Sequence, residues 1–345
     1  MSIAGPVEEA TLEPAQAPKS GRAKRSRRTA GEGRLALYLI APTVALLGLV
    51  VGYPIVKAVY SSFLTDQAKL DPTTGKFLPA GAWTGLTNYK YWLLQHCPSG
   101  GSASKTVTCP PGTLGAQFWD SVFFTVFVAV VTVALETVIG MGFALMMNRA
   151  FKGRAIVRAV ILIPWAIPTA VTAKLWQVVF DPQGILNHVL GVHIQWYSAQ
   201  WPSRFAIVIA DTWKTTPFIA LLILAGLQGI SADLYESAKL DGATAWQRFT
   251  KITLPLVKPA LAVAVIFRAL DALRMYDLPA ILTGGANGTT TMSILVVKQL
   301  QGTNLNSASA LSTITFVFIF AISLGLVKLF NANIVGAQKP TKEAK

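Results

Sequence analysis

The stretch VFFTVFVAVVTVALETVIGMGFALMM, residues 122–147, decides the fold class of this protein. Its 26 residues include one charged side chain, Glu136. About 20 consecutive apolar residues in a helix cross the roughly 30 Å of hydrocarbon in a bilayer. The stretch therefore predicts a membrane-spanning helix. Glu136, a costly group at that depth, predicts a polar contact between helices.

Five more apolar runs of spanning length lie on either side of this stretch. Hydrophobic residues make up 52% of the 345-residue chain and charged residues 13%, a balance outside that of ordinary soluble domains. We therefore predict an all-α polytopic membrane protein with six transmembrane helices. The predicted spans are residues 35–56, 122–147, 157–180, 205–229, 260–282 and 308–330.

The basic residues indicate which side of the membrane each loop occupies. The net charge is +14, and 18 of the 30 lysines and arginines lie within residues 1–34, 148–158, 231–258 and 331–345. A six-span chain places these four regions on one side. By the positive-inside rule that side is the cytoplasm, so both termini are predicted to be cytoplasmic in a multi-pass protein of the cell (inner) membrane. The basic excess thus indicates topology and contact with membrane lipid, and no nucleic-acid partner is expected.

The same pattern divides the chain into regions. Residues 1–33 are polar and basic and predict a disordered cytoplasmic tail, residues 34–330 form the transmembrane domain, and residues 331–345 form a second cytoplasmic tail. Residues 57–118 are an external segment that contains both cysteines, Cys97 and Cys109. Turn-forming Pro and Gly residues flank both cysteines, and an outside compartment permits oxidation, so we expect a disulfide; two unlinked surface thiols are the alternative.

The cytoplasmic loop at residues 231–256 contains a polar helical hairpin. Two capping-box patterns, one break and one proline set its expected boundaries: Asp233 with Glu236, Thr244 with Gln247, Asp241–Gly242, and Pro255 as the end of the second helix. The second helix carries Trp246 and Phe249, which are apolar groups in the cytoplasm. They favour either a docking surface for another protein or a loop folded on its own membrane domain.

The spacing in this hairpin resembles the EAA loop of ABC-importer permeases. Glu236-Ser237-Ala238 is followed by three residues, Gly242, nine residues and Ile252-Thr253-Leu254-Pro255, with Ser237 as the one departure. Across residues 35–330 the chain is similar to the maltose-type sugar permeases, most of all to the first permease of an actinobacterial trehalose or maltose importer. Further segments carry this resemblance: residues 224–261, GLTNYKYW at 85–92, IPWAIP at 163–168, DTWKTTPF at 211–218 and LTGG at 282–285. The cysteine-bearing segment departs from the family's usual short loop.

The resemblance implies the six-helix permease fold with a coupling helix pair, and import of an α-linked disaccharide such as trehalose or maltose. It implies a heterodimer with a second permease, two copies of a cytoplasmic ATPase, and an external solute-binding protein, free or anchored as a lipoprotein. The chain holds no G-x-x-x-x-G-K-[ST] sequence, so it is expected to be no enzyme and to bind no cofactor or metal, with ATP and Mg used by the partner ATPase. The implied coupling residues are Glu236, Ser237, Ala238, Asp241, Gly242, Ile252, Leu254 and Pro255.

Charged and aromatic residues in the fourth and fifth spans indicate a polar pathway. Four charges of alternating sign recur every three residues from Arg268 to Asp277. They either pair with one another or face a water-filled path, and Asp211 with Lys214 admits the same two interpretations. Pro217 is expected to break the fourth span. The predicted pathway residues are Asp211, Trp213, Lys214, Arg268, Asp271, Arg274, Tyr276 and Asp277.

Two other functions fit parts of this pattern. An ion-coupled secondary carrier would use the buried carboxylates as proton sites. A membrane enzyme acting on a lipid-linked sugar would need an acid–base pair, for which Asp271 and Asp277 qualify by residue type alone.

Overall fold

The structure is a computed structural model that describes residues 30–67, 69–70, 77–94, 96–98, 106–108 and 116–337. The chain divides into two units, one ending at Pro54 and one beginning at Ile55. The first contains helix α1 (Ala30–Leu47), a π-helical turn (Gly48–Gly52) and the start of helix α2 (Tyr53–Ser61). Residues 1–29 and 338–345 of the predicted tails lie outside the described residues. Cys109 also lies outside them, and with it the predicted disulfide to Cys97. Helix α1 already includes residues 30–33, and the last helix includes residues 331–337.

The second unit is built mainly of helices. Two antiparallel pairs of very short strands lie in the predicted external segment: β1 (Lys69–Leu70) with β2 (Phe77–Leu78), and β3 (His96–Pro98) with β4 (Thr106–Thr108). The helices are α3 (Thr87–Leu94), α4 (Gln117–Asn148), α5 (Arg154–Ala166), α6 (Thr169–Val179), α7 (Ile185–Leu190), α8 (Gln200–Gln228), α9 (Ala232–Leu240), α10 (Ala245–Arg248), α11 (Leu254–Leu273), α12 (Asp277–Leu282), α13 (Met292–Gln301) and α14 (Leu305–Ala337).

The predicted all-α polytopic fold class is confirmed. Within the described ranges, five helical segments are long and apolar enough to cross a membrane: Leu37–Ser61, α4, α8, Ala245–Leu273 and Leu305–Phe330. A sixth span exists if the bent pair α5 and α6 is counted as one crossing.

The third predicted span is broken in its middle. Helices α5 and α6 meet at an angle of 95°. Ile167 and Pro168 between them have extended ψ angles of 132° and 140°. A residue before proline is pushed out of the helical region by the ring, so Pro168 sets the place of the break.

The fifth span runs through different residues from those predicted. It is continuous from Ala245 to Leu273, so Pro255 does not end the second helix of the hairpin. At its other end the helix stops at Leu273, and Asp277 begins the separate helix α12. The expectation of one helix over residues 260–282 was therefore wrong at both ends.

A π-helical turn explains how the chain stays helical through Pro255. In the turn Phe249–Thr253, the Leu254 N–H donates to the carbonyl of Phe249, five residues earlier. The wider turn relieves the clash between a proline ring and the carbonyl four residues before it. The turn Gly48–Gly52 stands in the same place relative to Pro54, with Tyr53 donating to Gly48.

Helix α8 is the most enclosed span of the second unit. It contacts α4, α5, α6, α11 and α12, and it stays helical through Pro217, contrary to expectation. Two apolar clusters surround it. One includes Phe124 and Ile207, and the other includes Met147 and Ile223. Along α4 and α8, the polar residues described below lie between these two clusters.

Helices α8 and α11 approach each other closely at Gly226. A Cβ atom added to Gly226 would lie 2.4 Å from the Cβ of Ala260 and 3.0 Å from the Val257 side chain. Both facing residues belong to α11. Small residues let helix backbones pack this closely in a membrane, where van der Waals contact drives association.

We predict that Gly226→Ala destabilises the protein by about 1–3 kcal/mol, because it overpacks this contact. Gly142→Ala in α4 is the matched control, since its added Cβ would meet nothing within 4 Å. Thermal unfolding of the two purified variants checks the prediction. Equal melting temperatures would show that α8 and α11 accommodate the added methyl group without loss of stability.

Candidate functional site

Arg268 of α11 is the centre of a buried ion network. Its Nε donates to Glu136 Oε2 of α4 at 2.7 Å, and its Nη2 donates to Glu136 Oε1 at 3.0 Å. The same Nη2 also donates to Asp211 of α8. Its Nη1 donates to Asp271 Oδ2, one turn along α11, at 3.2 Å. One guanidinium thus joins three helices of the bundle.

The network is shielded from solvent on one side and open on the other. Glu136 is 0% exposed and Arg268 is 1% exposed, and Thr215 donates a further hydrogen bond of 2.6 Å to Glu136. The Asp271 side chain is 67% exposed. Charges at membrane depth are stable when they are paired and face a bundle interior, which is the arrangement here. Glu136, predicted to make a contact between helices, therefore does so.

Next to this network lies a polar cavity of about 180 Å³. Its wall combines the start of α6, the middle of α8, the end of α11 and the start of α12: Thr169, Asp211, Lys214, Thr215, Asp271, Arg274, Met275, Tyr276, Asp277 and Leu278. We call it the chamber. Lys214 also donates a hydrogen bond of 2.5 Å to the carbonyl of Ile167. The break between α5 and α6 leaves this carbonyl without a helical partner. The proline break thus helps to shape the chamber wall.

The chamber brings together six of the eight predicted pathway residues: Asp211, Lys214, Asp271, Arg274, Tyr276 and Asp277. Arg268 lies behind the wall and holds two of its carboxylates, those of Asp211 and Asp271. Trp213 is outside the lining and packs edge-on against Trp176 of α6, with ring centroids 5.8 Å apart.

The network and the chamber correct two expectations. The charges from Arg268 to Asp277 do not form one helical strip, because α11 ends at Leu273 and Asp277 lies on α12. Within the strip, Arg268 pairs with Asp271, but its strongest partners lie on other helices. Sequence reasoning missed Thr169 and Thr215 as lining residues. Threonine is common in membrane helices, and no signal in the sequence separated these two from the rest.

The hairpin at residues 231–256 has the predicted break and one of the two predicted caps. Gly242 has φ of +76°, a left-handed conformation that favours glycine. Thr244 and Gln247 form the predicted capping box of α10. The first cap was wrong: Ser231 caps α9, accepting from the N–H of Asp233 at 3.3 Å. Ser231 lies two residues before Asp233, so α9 begins one residue before the predicted cap.

One side of the hairpin is hydrogen-bonded to the rest of the chain, and the other side is exposed to solvent. The Tyr235 hydroxyl is 3.0 Å from Thr253 Oγ1, which ties α9 to the segment before α11. Leu240 is 89% exposed and Trp246 is 71% exposed. The motif residues Glu236, Ser237, Asp241, Gly242, Leu254 and Pro255 are also exposed, while Ala238 and Ile252 are half-buried.

Helices long enough to cross a membrane pack around a charged chamber, which is the arrangement expected of a membrane transport component. The chain belongs to the family of binding-protein-dependent transport system inner membrane components, whose model matches residues 136–336. The family predicted from the EAA-like spacing is thereby confirmed.

Relatives cover nearly the whole chain. The trehalose/maltose transport system permease protein MalF of Thermococcus litoralis is 37% identical, covering 86% of this chain and 94% of that protein. The trehalose transport system permease protein SugA of Mycobacterium tuberculosis is 36% identical, covering 89% and 92%. The sulfoquinovosyl glycerol transport system permease protein SmoG of Agrobacterium fabrum is 34% identical, covering 85% and 89%.

A solved structure has the same fold. It is the crystal structure of a bacterial ABC transporter involved in the import of the acidic polysaccharide alginate. The match has a TM-score of 0.70 at 22% identity, and it covers 88% of this chain and 96% of that one.

We predict that Arg268→Met destabilises the protein by about 3–5 kcal/mol, because it leaves buried carboxylates without a cation. Adding Glu136→Gln should restore part of the loss, since the most buried carboxylate is then neutral. Arg274→Met is the control, because Arg274 is exposed. Thermal unfolding of the purified variants checks this. If Arg268→Met and Arg274→Met have the same melting temperature, the ion network does not stabilise the helix bundle.

Proposed function

We propose that this chain is a permease subunit that imports an α-linked disaccharide, such as trehalose or maltose, with energy from ATP hydrolysed by partner subunits. The observation that carries the proposal is the chamber, where charged groups from α8, α11 and the short helix α12, together with an aromatic ring, border a cavity within an apolar bundle. Sugar hydroxyls both donate and accept hydrogen bonds, so carboxylates and ammonium groups suit them, and Tyr276 offers a flat apolar face.

The choice of solute rests on the relatives. Two that cover most of this chain are named for trehalose, one of them also for maltose. A third is named for sulfoquinovosyl glycerol, so the shared fold serves more than one glycoside. A family defined by binding-protein-dependent transport favours an importer over an ion-coupled carrier or an enzyme acting on lipid-linked sugars.

The remaining parts of the proposal concern assembly. The chain pairs with a second permease, two copies of a cytoplasmic ATPase bind the pair, and an external solute-binding protein delivers the sugar. Both termini and the hairpin face the cytoplasm, as the basic residues indicate. In the hairpin, Glu236 anchors the ATPase, and the continuous helix from Ala245 to Leu273 carries its motion to the chamber, since that helix ends next to Asp271 and Arg274.

We predict that Asp271→Asn and Asp277→Asn each lower sugar uptake about tenfold at low sugar concentration while the complex still assembles. A hydrogen bond to a charged group contributes about 1.5–3 kcal/mol, and 1.4 kcal/mol is a tenfold change in affinity. Uptake of labelled trehalose by proteoliposomes, with maltose as competitor, measures this. Asp181→Asn, outside the chamber lining, is the control. Normal uptake by both chamber variants would show that these two carboxylates do not contribute to sugar binding.

We predict that Glu236→Ala and Gly242→Val uncouple the permease from its ATPase. The first removes a carboxylate contact and should weaken ATPase association about tenfold or more. The second places a β-branched residue at a φ of +76°, which distorts the turn although its Cβ meets nothing within 4 Å.

Co-purification of the ATPase and solute-stimulated ATP hydrolysis check this prediction. Asp233→Ala removes a neighbouring exposed acid from the same hairpin and should leave both unchanged. Full stimulated hydrolysis in the Glu236 and Gly242 variants would mean that the hairpin is an ordinary loop.

A further inference from the structure

A second polar cavity, of about 310 Å³, lies apart from the chamber. It is bordered by the start of α4, the start of α8, the loop between α12 and α13, and α13. Its side chains include Asp120, Gln200, Asn287, Thr290 and Lys298. We call it the outer pocket, because these helix ends lie on the external side in the proposed topology.

The outer pocket and the chamber are separate places along the same helices. Gln200 begins α8 and Asp211 follows 11 residues later. At 1.5 Å per residue, this places them about 16 Å apart along the helix. One segment borders both cavities: residues 275–278 line the chamber, and residues 285–288 and 290 line the outer pocket. Thr291 Oγ1 donates to the Met275 carbonyl at 2.9 Å and joins the two ends of that segment.

The loop that lines the outer pocket is held in an unusual backbone conformation. Gly284, Gly285, Asn287 and Gly288 all have positive φ angles, between 52° and 70°. Other elements hold this loop: Arg204 of α8 donates to the Gly288 carbonyl at 3.0 Å, and the Asn287 side chain donates to the Tyr197 carbonyl. Asn287 is the one non-glycine residue among these four, and non-glycine residues held at positive φ are found preferentially at ligand sites.

Glycine at position 288 keeps this wall of the outer pocket close to α8. A Cβ there would lie 2.7 Å from Gln200 Nε2 and 2.9 Å from Arg204 Nη2. Arg204 is itself buried and fixed among three aromatic rings, at 5.0–5.9 Å from their centroids. The wall around Gln200 is therefore firmly positioned.

The lining indicates the chemistry of a ligand. Asp120 and Lys298 supply one charge of each sign, and Gln200 and Asn287 supply amide groups that both donate and accept. The Thr290 hydroxyl donates to the Gly285 carbonyl and offers a ligand an acceptor. Such a lining suits a neutral ligand rich in hydroxyl groups better than an ion. Burial lowers the pKa of Lys298.

We propose that the outer pocket is a second sugar-binding site of the permease, occupied before the chamber and separated from it by α12 and its loop. This inference rests on the proposed function for the identity of its ligand. It implies that sugar binding persists when the chamber is disabled.

The test measures binding of trehalose and of maltose to the purified permease with its second permease and ATPase, but without the solute-binding protein, by saturation-transfer NMR. The starting protein carries Asp271→Asn and Asp277→Asn, which weaken the chamber. We expect residual sugar binding, and a loss of at least tenfold in affinity when Gln200→Leu is added. Gln195→Leu, an exposed glutamine outside the pocket lining, is the matched control and should change nothing. Lys298→Met gives a second disruption from a different helix, should Gln200→Leu fail to fold.

Each result decides the proposal. Residual binding that Gln200→Leu and Lys298→Met abolish supports the outer site. Residual binding that neither variant changes overturns it, and so does an absence of binding once the chamber is disabled. An absence of binding to the unaltered complex also overturns it. The proposed function fails separately, when the unaltered complex takes up neither sugar.

Discussion

The contact on which this structure depends is the one between Arg268 and the two carboxylates that reach it from neighbouring helices. Glu136 on α4 and Asp211 on α8 both bind this guanidinium, and the three side chains are buried between apolar clusters. In lipid none of these charges is stable alone, so each helix fixes the rotation and depth of the others. This constraint aligns α4, α8 and α11 with one another.

The same network shapes the site. Arg268 lies behind the chamber wall, where it binds Asp211 and Asp271, and both carboxylates line the cavity. The structural ion network and the charged lining of the chamber therefore share the same carboxylates. The buried side of the network stabilises the bundle, and its exposed side faces the chamber.

Prolines shape the spans in two opposite ways. At Pro168 the chain leaves the helix and bends by 95°, and Lys214 binds the carbonyl at the break. At Pro255 a π-helical turn accommodates the ring, and the helix continues without a break from the hairpin to the chamber. The hairpin and the chamber are therefore joined by one helix.

The sequence by itself determined the features that depend on neighbouring residues. Apolar run length predicted the spans, Gly242 predicted the turn of the hairpin, and Thr244 with Gln247 predicted a cap, because each signal lies within one helix or turn. The five charged residues that line the chamber were also identifiable, because charge within an apolar run is conspicuous. Only the tertiary structure decided that Arg268 binds Glu136, 132 residues away, and that α11 ends at Leu273. Those outcomes depend on how the helices pack, and the spacing of residues along the chain does not indicate which helix faces contact each other.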